Sequence, residues 1–164
     1  MADQTHDTLT FRIVIAASAE AIWDAITQPD WSERFGYGGR VSYELKPGGR
    51  FSHHASAEMK AMGMADEIIV GEVVEADAPK KLVQTWHPLF SPGHIAEPPT
   101  RLTFDIAPSA SGVSTVTITH AVAGAPMVAG MVSGGGDPQK GGGGWPWILS
   151  DLKTLLETGK RMAG

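Results

Sequence analysis

The sequence contains no cysteine. This absence excludes disulfide bonds, thiolate zinc sites and a cysteine nucleophile, and it is compatible with a reducing compartment. Positive charge is also scarce, because 13 lysines and arginines face 18 aspartates and glutamates for a net charge of −5. A surface for nucleic acid or an anionic membrane would need clustered lysine and arginine. We therefore expect no nucleic-acid partner.

Long apolar runs are missing as well. No stretch approaches the roughly 18 apolar residues of a membrane span, and the polar start MADQTHDT lacks the basic and apolar regions of a secretory signal. We expect a cytoplasmic protein without a membrane span, with a flexible tail at residues 1–7. The remaining composition, 42% hydrophobic and 19% charged over 164 residues, is that of a globular chain and predicts one domain spanning residues 1–164.

Periodicity predicts the order of the secondary-structure elements. Alternating apolar and polar residues at 9–16 predict a first strand. A short helix follows, since Ser18 can cap it and Pro29 stops it, and residues 30–36 predict a second helical turn. Runs bounded by proline, glycine and aspartate then predict six antiparallel strands, at 40–46, 49–58, 67–76, 80–88, 100–107 and 113–121.

The chain ends in a predicted amphipathic helix. Its apolar residues recur at offsets of three and four: Trp145, Ile148, Leu149, Leu152, Leu155 and Leu156. The opposite side is predicted to be polar: Ser150, Asp151, Lys153, Thr154 and Glu157. A sheet with one apolar face needs a cover, so we predict a curved antiparallel sheet of about seven strands around this helix. The glycine-rich segment at 133–144 is predicted to be a mobile linker or gate.

Four stretches carry a resemblance to a known family. They are residues 17–36, the turn PGGRF at 47–51, GEVVEADAPKKLVQTW at 71–86, and GWPWILSDLKTLLETG at 144–159. Together they resemble the START-like (SRPBCC) superfamily and, within it, the homologues of the activator of the heat-shock-protein-90 ATPase. The resemblance implies an α+β helix-grip fold like that of the birch pollen allergen, with a small-molecule cavity between sheet and helix. It also implies a link to chaperones and the stress response.

Histidines are the first candidates for catalysis, because histidine titrates near neutral pH. Neighbouring strand residues point to opposite faces, so His53 is predicted to face inward and His54 outward. His120 shares an apolar strand face, and His87 ends the strand of Trp86, so these two are predicted to approach each other across the sheet. His53, His87 and His120 are the candidate catalytic residues, and the alternative for each is a hydrogen-bonded structural role.

Methionines and aromatic residues suggest the lining of a cavity. Three methionines lie in a predicted hairpin at 57–67, and two precede the glycine-rich segment. Thioether side chains adapt to irregular apolar ligands, although they also fill gaps in loops or form self-association surfaces. The predicted ligand-binding residues are Phe51, Met59, Met62, Met64, Trp86, Phe90, Phe104, Ile118, Met127, Met131, Leu149 and Leu152.

Other motifs of site chemistry are missing. The glycine run lacks the order of a phosphate-binding loop, there is no HExxH, and no GxSxG elbow joins the available Ser, His and Asp residues. We expect no metal and no cofactor. Three hypotheses result: binding of a small hydrophobic or aromatic molecule, an enzyme of cyclase, lyase or hydrolase type that uses a cavity histidine, or a chaperone-associated interaction module. A homodimer is compatible with each.

Overall fold

A seven-stranded antiparallel sheet forms the body of the protein in the computed structural model, which describes residues 7–162. The strands are β1 (Thr8–Ile15), β2 (Val41–Tyr43), β3 (Arg50–His54), β4 (Glu67–Asp77), β5 (Lys81–Pro88), β6 (Thr100–Pro108) and β7 (Ser114–Ala121). Their order across the sheet is β1-β7-β6-β5-β4-β3-β2, so β1 and β2 are its edges. All but the last residue of the predicted tail lie outside the described residues.

The helices are α1 (Ala19–Thr27), α2 (Pro29–Ser32), α3 (Ala57–Ala61), α4 (Pro92–Ala96), α5 (Pro126–Val132) and α6 (Gly144–Thr158). The predicted cap of α1 is present, because the Ser18 side chain accepts a hydrogen bond from the backbone N–H of Ala21. This arrangement confirms the α+β helix-grip fold. Within residues 7–162, no helix combines the length and the apolar character needed to cross a membrane.

The core lies between the sheet and α6. On the central strands Leu102 pairs with His120, and Phe104 pairs with Ile118. These four side chains are buried. Pairing directly opposite each other places them on the same face of the sheet. The helix contributes the buried residues Trp145, Leu149, Leu152 and Leu155. The apolar faces predicted for β6, β7 and α6 are therefore confirmed.

The methionine segment was predicted incorrectly as part of a strand and a hairpin. β3 ends at His54, next to a shift in its register with β4, and α3 begins at Ala57. The Ser56 side chain caps this helix by accepting a hydrogen bond from the backbone N–H of Met59 at 3.2 Å. Alanine, glutamate, methionine and lysine favour helix once such a cap is available.

One residue predicted for the solvent face of α6 is buried. Asp151 is only 2% exposed. Its carboxylate accepts hydrogen bonds from the backbone N–H groups of Gly36 at 2.8 Å and Met162 at 2.7 Å. The side chain of Arg161 donates to the Gly36 carbonyl at 2.7 Å. The loop after α2 and the C-terminal residues therefore cover this part of the helix, which its periodicity alone assigned to solvent.

The glycine-rich segment before α6 is hydrogen-bonded. Residues Pro138–Lys140 form a 3-10 turn, and the N–H of Gly142 donates to the carbonyl of Asp137 at 2.8 Å. Tyr37 connects this segment to the rest of the protein, because its hydroxyl accepts from the N–H of Gly143 at 2.8 Å and donates to the carbonyl of Pro138 at 3.1 Å. The mobility of the segment stays a prediction.

Candidate functional site

A buried hydrogen-bond chain runs through the interior around His120. The indole N–H of Trp145 lies 3.1 Å from His120 Nδ1, and His120 Nε2 lies 2.8 Å from Thr100 Oγ1. Because an indole N–H can only donate, Nδ1 must accept and Nε2 must carry the proton. Nε2–H then donates to Thr100, whose hydroxyl donates to the Trp86 carbonyl at 2.6 Å. Both ring nitrogens of His120 are therefore satisfied.

Aromatic contacts close around this chain. The Trp86 ring meets the His120 ring edge-on at 5.1 Å and the Trp145 ring at 5.9 Å, and Phe104 meets Trp145 at 6.0 Å. Six of the predicted ligand-binding residues are at most 7% exposed: Phe51, Trp86, Phe104, Ile118, Leu149 and Leu152. The central part of the predicted lining therefore consists of buried side chains that pack into the core between sheet and helix.

Burial also decides the charge of His120. Removal from water disfavours the imidazolium ion, and burial lowers the pKa of His120 to about 4. The ring is thus neutral at physiological pH, in the tautomer that its neighbours require. This environment gives His120 a structural role, because a general base needs a free nitrogen within reach of a substrate proton.

The other two candidate histidines lie elsewhere. Trp86 faces the core, so the next residue, His87, points to the opposite side of β5, where its Nε2–H donates to the carbonyl of His94 at 3.1 Å. The predicted approach of His87 to His120 is therefore wrong. His53 pairs with the buried Ile69 on the inner face, and its Nε2–H donates to the Gly38 carbonyl at 2.9 Å. Burial lowers its pKa.

The predicted methionines fall into two separate groups. Met59 packs partly against the core from α3, whereas Met62 is 72% exposed and Met64 is also exposed. Met131 is half-buried on α5, and Met127 on the same helix is exposed.

The second methionine group adjoins α4. The Glu97 carboxylate follows α4 and caps the start of α5, accepting hydrogen bonds from the N–H groups of Met127 at 2.7 Å and Val128 at 3.1 Å. Phe90 lies before α4 and contacts the His94 ring at 5.8 Å. The exposed members of the predicted lining thus border α3 and the α4–α5 junction, away from the buried tryptophans.

An open groove lies at the edge of the sheet, between the end of α1 and β2. Its volume is about 510 Å³, within the range of roughly 300–1,000 Å³ that small-molecule sites occupy. Its lining is mixed in polarity: Thr27, Gln28, Pro29, Arg40, Val41, Ser42, Tyr43, Leu45, His54, Ala55, Lys60 and Asp66. None of the residues in the predicted ligand-binding set lines this groove directly.

Tyr43, which lines this groove, forms a polar pair with a buried side chain behind it. The Tyr43 hydroxyl donates to Gln84 Oε1 at 2.6 Å, and Gln84 is fully buried. The Tyr43 ring packs on Phe51 with their centroids 4.7 Å apart. Burial raises the pKa of Tyr43, so the phenol stays protonated and remains a donor. Gln84 occupies an inward position of β5 between Leu82 and Trp86. A polar residue between two inward apolar residues of a strand is the sequence feature that could have indicated this pair.

Metal-binding groups in the described part of the chain do not come together. Among residues 7–162, no three histidine, aspartate or glutamate side chains are grouped closely enough to hold a metal ion. The interior site therefore consists of hydrogen-bond donors, acceptors and aromatic rings.

A curved antiparallel sheet around a C-terminal helix, with a polar chain inside and a groove at one edge, defines a START-like, helix-grip protein. The chain belongs to the family described as "Activator of Hsp90 ATPase homolog 1-like protein", whose model matches residues 16–157. This confirms the resemblance noted in the sequence. A comparison with curated proteins finds no match.

Solved structures share this fold at low sequence identity. A protein from Mesorhizobium loti is 20% identical with a TM-score of 0.65, over 92% of this chain and 96% of its own. The Aha1 dimer from Colwellia psychrerythraea is 18% identical with a TM-score of 0.62, over 93% and 98%. An HSP90 activator from Plasmodium falciparum is 18% identical with a TM-score of 0.56, over 96% and 91%.

Proposed function

We propose that this protein binds a small molecule with an apolar or aromatic body, and that the molecule enters through the groove between α1 and β2. The observation that carries this proposal is the Tyr43–Gln84 pair on the inner face of the sheet, whose tyrosine lines the groove. Small-molecule sites are largely apolar and use a few well-placed polar groups to orient the ligand. Tyr43 supplies such a group at the wall of the groove, and the buried Gln84 behind it fixes the direction of the hydroxyl.

The residues behind the groove support an extended site. Gln84 and Trp86 are two positions apart on β5 and share its inner face, and Phe51 packs on Tyr43. On this proposal the apolar body of the ligand extends from the groove past Tyr43 toward Gln84 and Trp86. On this proposal Phe51 and Trp86 form the inner wall of the site, and the polar rim at the groove holds the polar end of the ligand.

Filling the groove should weaken binding. Leu45 lines the groove and is 38% exposed, so Leu45→Trp adds bulk there without disturbing the core. Titration of the purified protein with the neutral dye N-phenyl-1-naphthylamine, followed by dye fluorescence, should show saturable binding. We expect the variant to bind at least about tenfold more weakly, a loss of about 1.4 kcal/mol.

The control for this experiment fills a different recess. A smaller recess of about 230 Å³ lies near the start of α1 and includes Ser109 in its lining. Ser109→Trp should leave dye affinity unchanged. Equal weakening by both substitutions, or no saturable binding to the unaltered protein, would contradict the proposed site.

The family match favours a second candidate, a chaperone-associated interaction module. On this hypothesis the purified protein increases the ATPase rate of an added Hsp90 in a concentration-dependent manner. The measurement is steady-state ATP hydrolysis with an Hsp90 inhibitor as the blank. An unchanged rate at a large excess of this protein would remove the candidate and would leave the ligand-binding proposal unaffected.

A further inference from the structure

Three polar side chains are aligned on the outer face of the sheet beside the groove. Ser52 and His54 are two residues apart on β3 and share its outer face. The Ser52 hydroxyl oxygen lies 3.2 Å from His54 Nε2, and His54 Nδ1 lies 3.1 Å from a carboxylate oxygen of Asp66. A backbone hydrogen bond of 2.7 Å from Ala55 N–H to the Asp66 carbonyl ties the two segments together.

The proton positions in this alignment follow from its chemistry. An ionised carboxylate only accepts hydrogen bonds, so Nδ1 of His54 carries the proton that points to Asp66. In the neutral ring Nε2 then carries no proton, and the Ser52 hydroxyl donates a hydrogen bond to its lone pair. Lys60 Nζ contacts the other Asp66 oxygen at 2.8 Å, and hydrogen bonds from Lys60 and His54 lower the pKa of Asp66. Asp66 therefore stays ionised and orients the ring.

The other histidines of the described chain differ from His54 in this respect. His53 and His87 donate their Nε2 protons to backbone carbonyls, and His120 accepts at Nδ1 from Trp145. His94 has a serine hydroxyl, that of Ser91, at 2.8 Å from Nδ1, but no hydrogen-bonded carboxylate within residues 7–162. Among these residues, only His54 connects a serine to an acid.

The groove gives this alignment a route to solvent. His54, Lys60 and Asp66 line the groove, as does Ser42, which is the pairing partner of Ser52 on β2. Ser52 itself is 4% exposed and lies directly behind this wall. Because so little of Ser52 is accessible, the substrates that suit it are esters with a small acyl group.

We propose that Ser52 and His54 form a nucleophile and general base that transfers small acyl groups from esters to water, with Asp66 as the positioning residue. This activity goes beyond ligand binding. Ser52 Oγ forms a bond to the ester carbonyl carbon and its proton moves to His54 Nε2. That proton then passes to the departing alkoxide as the ester C–O bond breaks. Water attacks the acyl-serine, His54 takes its proton and returns it to Ser52, and a carboxylic acid leaves.

The test uses a small alkyl fluorophosphonate on the full-length protein. Ser52 Oγ forms a bond to phosphorus, the P–F bond breaks, and fluoride leaves with the serine proton. We expect one phosphonate per chain, mapped to Ser52 by peptide mass spectrometry. Ser52→Ala should remove the adduct, and His54→Gln should slow labelling by at least about a hundredfold.

The experiment on Asp66 must separate an effect on the position of the His54 ring from an effect on folding. Asp66→Asn should slow labelling, and Asp66→Glu, which restores the negative charge, should recover part of the rate. Circular dichroism on each variant checks that the fold is retained. If both substitutions slow labelling equally while the fold is unchanged, the positioning role assigned to the carboxylate is wrong.

The matched control is the second serine–histidine contact. Ser91→Ala removes a pair of similar distance that lacks the acid, and it should leave labelling unchanged. Labelling at Ser91, scattered labelling of surface serines, or no adduct on Ser52 of the folded unaltered protein would overturn the proposal without any variant. Dye titration of the unaltered protein measures ligand binding without reference to Ser52, so failure of the acyl-transfer proposal and failure of ligand binding are distinguishable.

Discussion

Replacing Trp145 with alanine is expected to lower the free energy of unfolding by about 3–5 kcal/mol, the usual cost of truncating a buried tryptophan. The indole is 7% exposed and contacts Trp86 and Phe104. It is also the hydrogen-bond donor to His120. Removal therefore leaves a cavity and an unpaired ring nitrogen together. Equilibrium unfolding in urea, followed by far-ultraviolet circular dichroism, measures the change.

Two further substitutions separate these contributions. Trp145→Phe keeps most of the bulk but removes the donor to His120, so its cost should be about 1–3 kcal/mol, as for an unsatisfied buried acceptor. Trp31→Ala is the surface control, because Trp31 is only half-buried on α2 and stacks with Arg34. If Trp145→Ala costs no more than Trp31→Ala, the central role assigned to the indole is wrong.

Acid is expected to destabilise the protein through His120. The folded pKa of about 4 lies below the ordinary value of 6.5, so between these pH values the unfolded chain binds a proton that the folded chain does not. Stability therefore falls as the pH is lowered from about 6.5 to 4. Over this pH range the protonation of this one group lowers the free energy of unfolding by about 3 kcal/mol, at 1.36 kcal/mol per pH unit.

The comparison that isolates this effect uses His120→Leu. His53 also has a pKa lowered by burial, so the unaltered protein combines both responses. The leucine variant lacks the titrating ring. It also leaves the indole N–H of Trp145 without an acceptor, which changes the free energy of unfolding by the same amount at every pH. Urea unfolding at a series of pH values from 7 to 4 should show a smaller loss for the variant. Parallel curves for the two proteins would contradict the assignment to His120.

Local sequence patterns were sufficient for most of the sheet and for α6. The alternation around Phe104 and Ile118 predicted which sides of β6 and β7 are buried, because successive strand residues always point to opposite faces. The offsets of three and four from Trp145 to Leu155 likewise predicted the buried side of α6. These periods depend on the backbone alone, so they remain readable without knowledge of the partner element.

The helices α4 and α5 were not predicted, although one of them carries a signal in its own sequence. The start of α4 has a local signal, Ser91 followed by Pro92 at the first helical position, which predicts a capped helix. α5 lacks a side-chain cap of its own, and the Glu97 carboxylate supplies it from about thirty residues away. A cap that comes from a distant loop leaves no mark in the helix sequence.

The sequence by itself determined the helix-grip architecture, the family and the buried side of the C-terminal helix with Trp145, since repeating apolar positions and characteristic strings encode them locally. Only the tertiary structure decided the chemistry of the polar residues. It buried Asp151 beneath a loop, paired Tyr43 with Gln84, neutralised His120 beside Trp145, and brought Asp66 to His54. A polar side chain acquires its proton, charge and role from partners that are distant in sequence, and no periodicity along the chain specifies those partners.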